Sequence, residues 1–418
     1  MVKLNKINQL KNLKDKVVLV RFDADVPLKP RNGNGYEVAD DSRLRASLKT
    51  IEYLISNNAK IVLIGHMGRP KGKKVAQLSL KPVADRINIL LRQTEAGRVV
   101  SDVLLVPIER YIGERVKKIV AQMDFGEIIM LENIRFSDRE EVNCKRFAKK
   151  LADLGDIYVN EAFANCHRSH ASVDAIQDYI PSYAGFNLDR EVSSLAQVID
   201  KPKKPVLFIF GGAKTETKIP VIKNYINKAD YIIVGGVLAN TFLKALGYDM
   251  GKSKIDDDYV AKANFILKQL DFKYKDISSF TNRQESMVFS SKFFLPVDVK
   301  LKTGRVKQVG QLKANDNVLD IGPQTVIVYK KIIRTAKTIV WNGPMGKIEE
   351  KGFCKGSSEI LSQIVLNKQA KVVIGGGDTI KILNSSKVYD KVFISSGGGA
   401  MLDFLAGKKM PGLRKLLK

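Results

Sequence analysis

Cysteine is scarce in this chain: there are three in 418 residues, and none lies in a CxxC motif. Cys144, Cys166 and Cys354 are spaced too widely for a disulfide framework or a cysteine-rich metal site. Unpaired cysteines are typical of a reducing compartment, so we expect a cytoplasmic protein.

Long apolar segments are also missing. The longest apolar runs, such as residues 17–20 and 61–64, are far too short to span a membrane. The charged residues 1–6 lead into no apolar segment of the kind that a signal peptide contains. We therefore expect no membrane partner. The 44% share of hydrophobic residues is that of a globular protein and excludes wholesale disorder.

Acidic residues are outnumbered, with 44 Asp and Glu against 70 Lys and Arg, which gives a formal net charge of +26. This excess favours a polyanionic partner, which could be nucleic acid, an anionic membrane surface or phosphorylated small molecules. A lysine-rich solvated surface would explain it equally well. The sequence has no zinc-finger spacing, no aromatic-rich RNA-binding signature and no basic low-complexity arm, so nucleic acid is the less favoured partner.

Short β-branched runs alternate with longer helical stretches along the whole chain. Several of these runs are continuously apolar, a pattern typical of parallel strands that are buried on both faces. The alternation predicts an α/β fold with doubly wound parallel sheets, in which ligands bind beyond the carboxyl ends of the strands. The predicted strands are residues 16–21, 60–64, 127–131, 157–159, 206–210, 231–234, 333–341, 371–374 and 391–394.

A boundary between domains is predicted near residues 181–200. Length alone favours two or three domains. Residues 181–185 have the composition of a loop, residues 189–198 could form a linking helix, and a Lys-Pro-rich stretch follows at 201–205.

Glycine clusters follow four predicted strands in the second half of the chain. Glycine lets a ligand approach the backbone closely, and a helix amino terminus offers free N–H groups to phosphate. One cluster could be only a tight turn, but four together favour a nucleotide. The absence of GxxxxGK[ST] and GxGxxG disfavours a P-loop and a dinucleotide fingerprint. The clusters are Gly211-Gly212, Gly235-Gly236, Gly375-Gly376-Gly377 and Gly397-Gly398-Gly399.

Cationic side chains are grouped near predicted strand ends in both halves. All three histidines, His66, His167 and His170, lie beside arginines, and their spacing is not that of metal ligands. Arginine binds carboxylate and phosphate through paired hydrogen bonds, so the first half could form a basic pocket for a small anion; surface ion pairs are the alternative. In the second half, Lys214 and Lys218 would share one helix face. Asp378 could hold Mg²⁺ or could cap a helix.

The ordered set of motifs resembles the phosphoglycerate kinase family over nearly the whole chain. In the first half these are VRFDADVP (20–27), DSRL (41–44), GHMGRP (65–70), LENIRF (131–136) and HRSHAS (167–172). In the second half they are GGAKTETK (211–218), ANTFLKA (239–245), LPVD (295–298), DIGP (320–323), WNGPMG (341–346), GGGDT (375–379) and SSGGGA (395–400).

The resemblance implies two Rossmann-like domains joined by a hinge helix. Residues 1–183, completed by the tail 404–418, would bind 3-phosphoglycerate or 1,3-bisphosphoglycerate. Residues 184–200 would form the hinge, and residues 201–403 would bind ADP or ATP with Mg²⁺. The activity implied is reversible phosphoryl transfer from 1,3-bisphosphoglycerate to ADP, in line and on domain closure, by a cytoplasmic monomer.

The resemblance also implies roles for individual residues. Arg43 and Lys214 would stabilise the transferring group, and Asp378 would serve the metal. The acid would contact Asp23, Asp25, Arg43, His66, Arg69, Arg135 and Arg168. The nucleotide would contact Lys214, Lys218, Gly235, Gly236, Pro344, Glu349, Gly375, Gly376, Gly377, Asp378, Thr379, Gly397, Gly398 and Gly399.

The chain departs from the family pattern at several motif positions. Asp25 stands where the family usually has Asn, Glu161 where it has Asp, and Thr217 where it has Asp. These changes remove none of the expected catalytic cations. They leave open a catalytically weakened homologue as an alternative, beside a basic nucleic-acid-binding protein.

Overall fold

The structure is a computed structural model that describes residues 3–31, 35–96, 102–108, 112–270, 292–383 and 392–418. The chain divides into two compact units: unit 1 is Met1–Ser193 with Lys409–Lys418, and unit 2 is Ser194–Lys408. The first division falls inside the expected hinge segment and the second inside the expected tail.

Unit 1 is built on a six-stranded parallel sheet with strand order β5-β6-β4-β1-β7-β8. The two remaining strands, β2 and β3, form a small antiparallel hairpin. The strands are β1 (Val17–Arg21), β2 (Leu28–Pro30), β3 (Tyr36–Val38), β4 (Lys60–Ile64), β5 (Leu104–Val106), β6 (Ile128–Leu131), β7 (Ile157–Asn160) and β8 (Ser182–Ala184).

Helices cover both faces of this sheet. In β1, Val18 and Val20 belong to one hydrophobic core and Leu19 to the other, because successive side chains of a strand point to opposite faces. This two-sided burial explains why the strand sequences are continuously apolar. The helices are α1 (Ser42–Ser56), α2 (Lys81–Arg92), α3 (Glu114–Ala121), α4 (Lys145–Ala152) and α5 (Phe186–Asp200).

The end of the chain packs on unit 1. Asn160 Nδ2 donates to Gly412 O at 3.1 Å, and Asn5 N donates to Leu416 O at 2.8 Å. Leu413 and Leu416 are buried. Arg414 pairs with Asp174 on the same unit at 3.1 Å.

Unit 2 contains a second six-stranded parallel sheet, with strand order β11-β10-β9-β15-β16-β17. A three-stranded antiparallel sheet, β13-β12-β14, lies in the same unit. The strands are β9 (Val206–Phe210), β10 (Tyr231–Val234), β11 (Phe293–Phe294), β12 (Asp298–Leu301), β13 (Val306–Gln308), β14 (Val318–Ile321), β15 (Thr338–Asn342), β16 (Lys371–Gly375) and β17 (Val392–Ser395).

The helices of unit 2 follow its strands, as an α/β fold requires. Pro323 opens α9, a position where the missing N–H of proline costs no helical hydrogen bond. The helices are α6 (Thr215–Tyr225), α7 (Gly236–Ala245), α8 (Val260–Gln269), α9 (Pro323–Thr335), α10 (Lys355–Leu366), α11 (Gly377–Ile380) and α12 (Gly399–Leu405).

The predicted fold class is confirmed, since both units are α/β and each carries six parallel strands. Two local predictions are wrong. The strand predicted at 333–341 begins only at Thr338, because the residues up to Thr335 belong to α9. The predicted loop 181–185 contains β8, which pairs with β7. Residue 391, the first of the last predicted strand, lies outside the described residues. Within the described part of the chain, no helix has the length and apolar character to cross a membrane.

Candidate active site

The sheet of unit 1 brings the predicted cations together at one edge. Arg21 is the last residue of β1, His66 follows β4, and Arg135 follows β6. These are neighbouring parallel strands, so their carboxyl ends lie side by side. Arg168 follows β7, the next strand of the same sheet. Separate stretches of sequence thus form one basic cluster.

A chain of buried hydrogen bonds orients His66. Arg21 is fully buried, and its Nη2 lies 2.9 Å from His66 Nδ1. Arg21 Nε donates to Ser172 Oγ at 3.0 Å, and Ser172 Oγ donates to Glu140 Oε1 at 2.6 Å. Ser172 N also donates to Glu140 Oε2 at 2.9 Å. This chain holds the His66 ring in place and compensates the buried Arg21 charge with the Glu140 carboxylate.

His66 and His170 are both neutral at ordinary pH. Burial holds the pKa of His66 well below its usual value, and the charges of Arg21 and Arg135 add to the effect. Burial, followed by Arg135 and Arg168, lowers the pKa of His170 to about 3. A neutral imidazole can donate a hydrogen bond from one nitrogen without adding to the positive charge. The contact of 3.9 Å between His66 Nε2 and Asp25 Oδ2 is therefore not an ion pair.

Arg135 is buried and is affected by the positive charge of a neighbouring arginine. Its side chain is 2% exposed, and burial together with the charge of Arg168 lowers its pKa to about 10. Nη1 donates to Gly68 O at 2.7 Å, and Nε lies 3.5 Å from Glu141 Oε1. Among the described residues, no hydrogen-bond acceptor meets its buried Nη2. A buried donor without a partner is costly, so an anion at this point would be stabilising.

Two aspartates hold Arg43 at the same edge. Arg43 Nη1 lies 3.2 Å from Asp23 Oδ2 and donates to Asp25 O at 3.0 Å. Burial raises the pKa of Asp23 even though Arg43 opposes the shift. Asp25 Oδ1 accepts from Gly68 N at 3.0 Å, which fixes the loop after β4. Asp25 thus braces this loop through its carboxylate.

The remaining arginines stand at the rim of the cluster. Arg69 is exposed, and its charge contributes to lowering the pKa of Arg168 after the larger effect of burial. Arg168 Nε lies 3.3 Å from His167 Nε2. All seven residues predicted to contact the acid therefore belong to unit 1, at or beside this edge.

The glycine loops of unit 2 pack backbone against backbone. A side chain on Gly211 would come within 2.1 Å of Pro344 O, and Gly212 N donates to that same oxygen at 2.7 Å. Gly236, with φ at +62°, donates from its N–H to Met345 O at 2.8 Å. A side chain on Gly235 would lie 2.7 Å from the sulfur of Met345. Loop packing alone therefore requires glycine at 211, 235 and 236.

Two other glycines have no such explanation. A side chain on Gly377 or Gly398 would meet nothing within 4 Å. Gly376 and Gly398 have positive φ, at +97° and +47°, and Gly377 has an ordinary backbone. Open space at Gly377 is what close approach of a ligand would require. Next to it, Thr379 Oγ1 accepts from Gly343 N at 2.7 Å and so ties this loop to the one after β15.

A cavity of about 480 Å³ lies in unit 2 beside these loops. Its volume falls in the range of small-molecule and cofactor pockets. Four residues expected to touch a nucleotide line it: Gly236, Pro344, Glu349 and Asp378.

Among the described residues of unit 2, Lys218 is the one buried cation. It is 5% exposed, and its Nζ donates to Lys214 O at 3.2 Å. Burial, helped by the charge of Lys214, lowers its pKa to about 8, whereas Asp378 acts in the opposite direction. Lys214 occupies the N-cap position of α6 without a side-chain capping bond, and it is exposed. Asp378 is exposed and pairs with Lys381 at 2.9 Å. A phosphate near Lys218 would restore its charged form.

Several residues of the cavity were not expected from the sequence. Asp320 lines it, is 2% exposed, and accepts from Ile321 N and Gly356 N, both at 2.9 Å. Burial raises its pKa to about 6. Its position in the DIGP motif was the one signal in the sequence, and that motif indicated no role. Further polar lining residues are Asn240, Lys252, Lys254, Asn317 and Lys347.

The remaining expected residues do not line the cavity. Lys214 and Thr379 directly follow the lining residues Ala213 and Asp378 in the chain. Lys218 is related to the cavity through Asp378, whose charge acts on its pKa. Gly397 N donates to Ser395 Oγ at 3.2 Å, within the loop after β17, the edge strand next to β16. Gly375 ends β16, and a side chain there would lie 2.1 Å from the sulfur of Met401.

Sequence comparison matches the chain to one family. The family model described as "Phosphoglycerate kinase" matches residues 7–408. A phosphoglycerate kinase from Dictyoglomus turgidum is 40% identical over 406 residues, covering 97% of this chain and 96% of that protein. Another from Acidobacterium capsulatum is 40% identical over 415 residues, with 97% of both chains covered.

Comparison with solved structures gives the same result. The phosphoglycerate kinase of Coxiella burnetii has a TM-score of 0.80 and 32% identity, covering 99% of this chain and 98% of that one. The enzyme of Pyrococcus horikoshii has a TM-score of 0.80 and 29% identity, with the same coverage.

Proposed function

The chain belongs to the phosphoglycerate kinase family, and on that premise we propose which of its residues bind each substrate. It is a phosphotransferase with a carboxyl group as acceptor, and its reaction is a step of glycolysis. A phosphoryl group passes reversibly between 1,3-bisphosphoglycerate and ADP, giving 3-phosphoglycerate and ATP. No feature of the described residues favours a nucleic-acid-binding protein or a weakened homologue.

The basic cluster of unit 1 binds the phosphoglycerate in this proposal. The buried Nη2 of Arg135, which no described acceptor meets, is the single observation that carries it. Arg69, Arg135 and Arg168 provide paired donors for the phosphate and the carboxylate. His66, neutral and fixed by Arg21, donates a hydrogen bond to the acid. Asp23 and Asp25 hold Arg43 and can accept from the substrate hydroxyl.

The cavity of unit 2 binds ADP or ATP. Gly236 and Pro344 form the wall against the base, Gly235 supports that wall from its packing on Met345, and Glu349 accepts from the ribose hydroxyls. The phosphates extend toward Lys218 and Lys214, beside the open backbone at Gly377. Their further partners in this proposal are Gly375, Gly376, Thr379, Gly397, Gly398 and Gly399.

Asp378 suits a magnesium ion that arrives with the nucleotide. Its carboxylate is exposed and lines the cavity. The described residues hold no cluster of three or more metal-binding side chains. Mg²⁺ commonly takes one or two protein carboxylates and completes its shell with phosphate oxygens and water. One carboxylate is therefore enough, and the bound ion would neutralise phosphate charge.

Phosphoryl transfer is mainly a matter of placement and charge. Arg43 and Lys214 neutralise the transferring group in this proposal, each beside a ligand of its own unit. The domain closure expected from the sequence stays a prediction. We further propose a monomer in the cytoplasm, since nothing in the proposed chemistry calls for a second subunit or a membrane.

A coupled assay tests the function directly. Purified protein should consume ATP in the presence of 3-phosphoglycerate and Mg²⁺, and absence of turnover would contradict the assignment. Lys214→Ala should lower kcat by about 100-fold while ADP binding changes little. Lys223→Ala, an exposed lysine on the same helix, is the matched control. Equal losses in kcat and in ADP affinity would argue against Lys214 acting on the transferring group.

A further inference from the structure

Glu161 is a buried carboxylate that the proposed mechanism does not use. It follows β7 directly and is fully buried. Its N–H donates to Arg21 O at 2.8 Å, and Arg21 is the residue that orients His66. The main chain of Glu161 is therefore attached to the strand end from which the basic cluster is built.

The side chain of Glu161 holds the beginning of α5. Its Oε2 accepts from Leu188 N at 3.0 Å, and its Oε1 accepts from Asn187 N at 3.2 Å and from the Thr50 hydroxyl. Thr50 Oγ1 in turn accepts from Phe186 N at 2.9 Å. Together the two side chains satisfy the first three N–H groups of the helix, which would otherwise lack partners.

The backbone at Gly185 packs closely against the Glu161 carboxylate. A side chain on Gly185 would come within 2.1 Å of Glu161 Oε1. Gly185 N donates to Asn160 O at 3.0 Å, which fixes the gap between β7 and α5. The carboxylate is thus clamped between α1, β7 and the first turn of α5.

The groups that face Glu161 fit its ionised form. Thr50 and the two helix amides are all donors, so a proton on the carboxyl would meet donors instead of acceptors. Burial raises the pKa of Glu161 to about 7, while the bonds from Thr50, Leu188 and Asn187 oppose the shift.

Three of the charged side chains on the surrounding elements have other partners, and α5 carries a second buried carboxylate, Glu191. Arg21 of β1 binds His66 and Ser172. Lys49 of α1 lies 4.9 Å from the centre of the Phe186 ring. Asp189 of α5 pairs with Lys6 at 2.8 Å. The charge of the Glu161 carboxylate is therefore balanced mainly by backbone and hydroxyl donors.

We infer that ionised Glu161 is a positioning residue, which clamps the Arg21 strand end to the first turn of α5 and so sets the geometry of the basic cluster. The inference rests on the proposed function. The Glu161 side chain contacts none of the residues proposed to bind the acid, so substrate affinity should be spared. Transition-state stabilisation is more sensitive than binding to small displacements, so kcat should fall when the clamp loosens.

The test is the pH profile of kcat and of KM for 3-phosphoglycerate. The wild-type kcat should rise as pH increases through about 7. Glu161→Gln should lower kcat about 10-fold above that pH and abolish the rise, with KM within about 2-fold, since ~1 Å of misplacement costs ~100-fold. Glu161→Asp should restore the rise. A Glu161→Gln enzyme that follows the wild-type profile would overturn the inference.

Asp298→Asn is the matched control for a structural effect. Asp298 is also buried and also caps a helix, accepting from Thr325 N at 2.7 Å and Gln324 N at 3.0 Å at the start of α9. Its loss should destabilise unit 2 and leave the pH dependence of kcat unchanged. If Glu161→Gln and Asp298→Asn alter kcat alike, the effect of Glu161 is one of stability alone.

Two further measurements keep the inference decidable. If Glu161→Gln does not fold, Thr50→Val should move the kcat midpoint to higher pH, because the carboxylate loses one donor. An unchanged midpoint would overturn the inference. If the wild type shows no turnover, the proposed function fails on its own. Hydrogen exchange then decides: protection of the Asn187 and Leu188 amides should fall about 10-fold from pH 8 to pH 6, following the titration, and constant protection would refute the clamp.

Discussion

Nucleotide binding should be coupled to proton uptake at Lys218. In the free protein, burial and the charge of Lys214 lower the Lys218 pKa to about 8, from an ordinary value of 10.5. A phosphate placed beside it would favour the charged form and raise the pKa again. The nucleotide-bound state therefore has the higher pKa. Binding is strongest below pH 8 and weakens as pH rises through that value.

The size of the effect follows from the shift. A difference of about two and a half pKa units is worth ~3 kcal/mol when fully restored. ADP affinity should then fall by up to about 10-fold per pH unit above pH 8. At pH 8 about half a proton should be taken up per ADP bound, because roughly half of the free protein carries a neutral Lys218.

Isothermal titration calorimetry measures both quantities. Kd for ADP is determined at pH 7, 8 and 9, and proton uptake is obtained from buffers with different ionisation enthalpies. Lys218→Met should abolish the uptake, whereas Lys223→Met should retain it, since Lys223 is exposed and lies 5.3 Å from the centre of the Phe265 ring. Equal Kd values at pH 7 and 9 for the wild type would show that no phosphate meets Lys218.

Two more predictions concern unit 2. Gly211→Ala should lower the free energy of unfolding, measured in urea, by about 3 kcal/mol, because the new methyl group would lie 2.1 Å from Pro344 O. Gly377→Ala places its methyl group in open space and should change this free energy by less than about 1 kcal/mol. Equal losses in the two variants would contradict the packing argument. Asp378→Asn should raise the Mg²⁺ concentration needed for half-maximal rate, measured by metal titration. The free energy of unfolding should change by only about 0.5 kcal/mol, because the ion pair between Asp378 and Lys381 is exposed. An unchanged metal requirement would remove Asp378 from the magnesium site.

Nine of the twelve strands in the two parallel sheets can be predicted from the sequence, because burial on two faces requires a continuous apolar run, whereas β5, β8 and β11 are missed. Val18, Leu19 and Val20 are all fully buried, and a continuous apolar run is what such a strand requires. The failures have the same physical origin. Ile332 and Ile333 are equally apolar and buried, but they lie in the last turns of α9, where the run alone does not distinguish helix from strand. Residues 182–184 form a strand through pairing with β7, a contact between distant residues.

The glycines of unit 2 mark the limit of sequence reasoning about the site. The sequence predicts that four glycine clusters contact phosphate, yet Gly211, Gly235 and Gly236 are explained by loops that pack against one another. Which loops are neighbours depends on the strand order β10-β9-β15-β16, and the sequence does not contain that order in readable form. Gly377 alone among the first three clusters keeps both an ordinary backbone and open space. Contact between these glycine clusters and a nucleotide stays a prediction, and packing alone explains several of the glycines.

Burial distinguishes the cations of the proposed site from the many others that give the chain its formal net charge of +26. Among the described residues only three cations are buried, Arg21, Arg135 and Lys218, and all three lie at the proposed binding regions. Burying a cation costs free energy unless a partner compensates its charge. Because these three side chains are buried, their charges cannot serve solubility. Buried acidic residues are more numerous, and Glu161, Asp298 and Asp320 each accept backbone N–H groups at a helix start. Among the described residues, the positive excess is therefore larger at the exposed and half-buried positions than over the whole set. Net charge favoured an anionic ligand for the whole chain, but burial identifies the individual cations that an anion would meet.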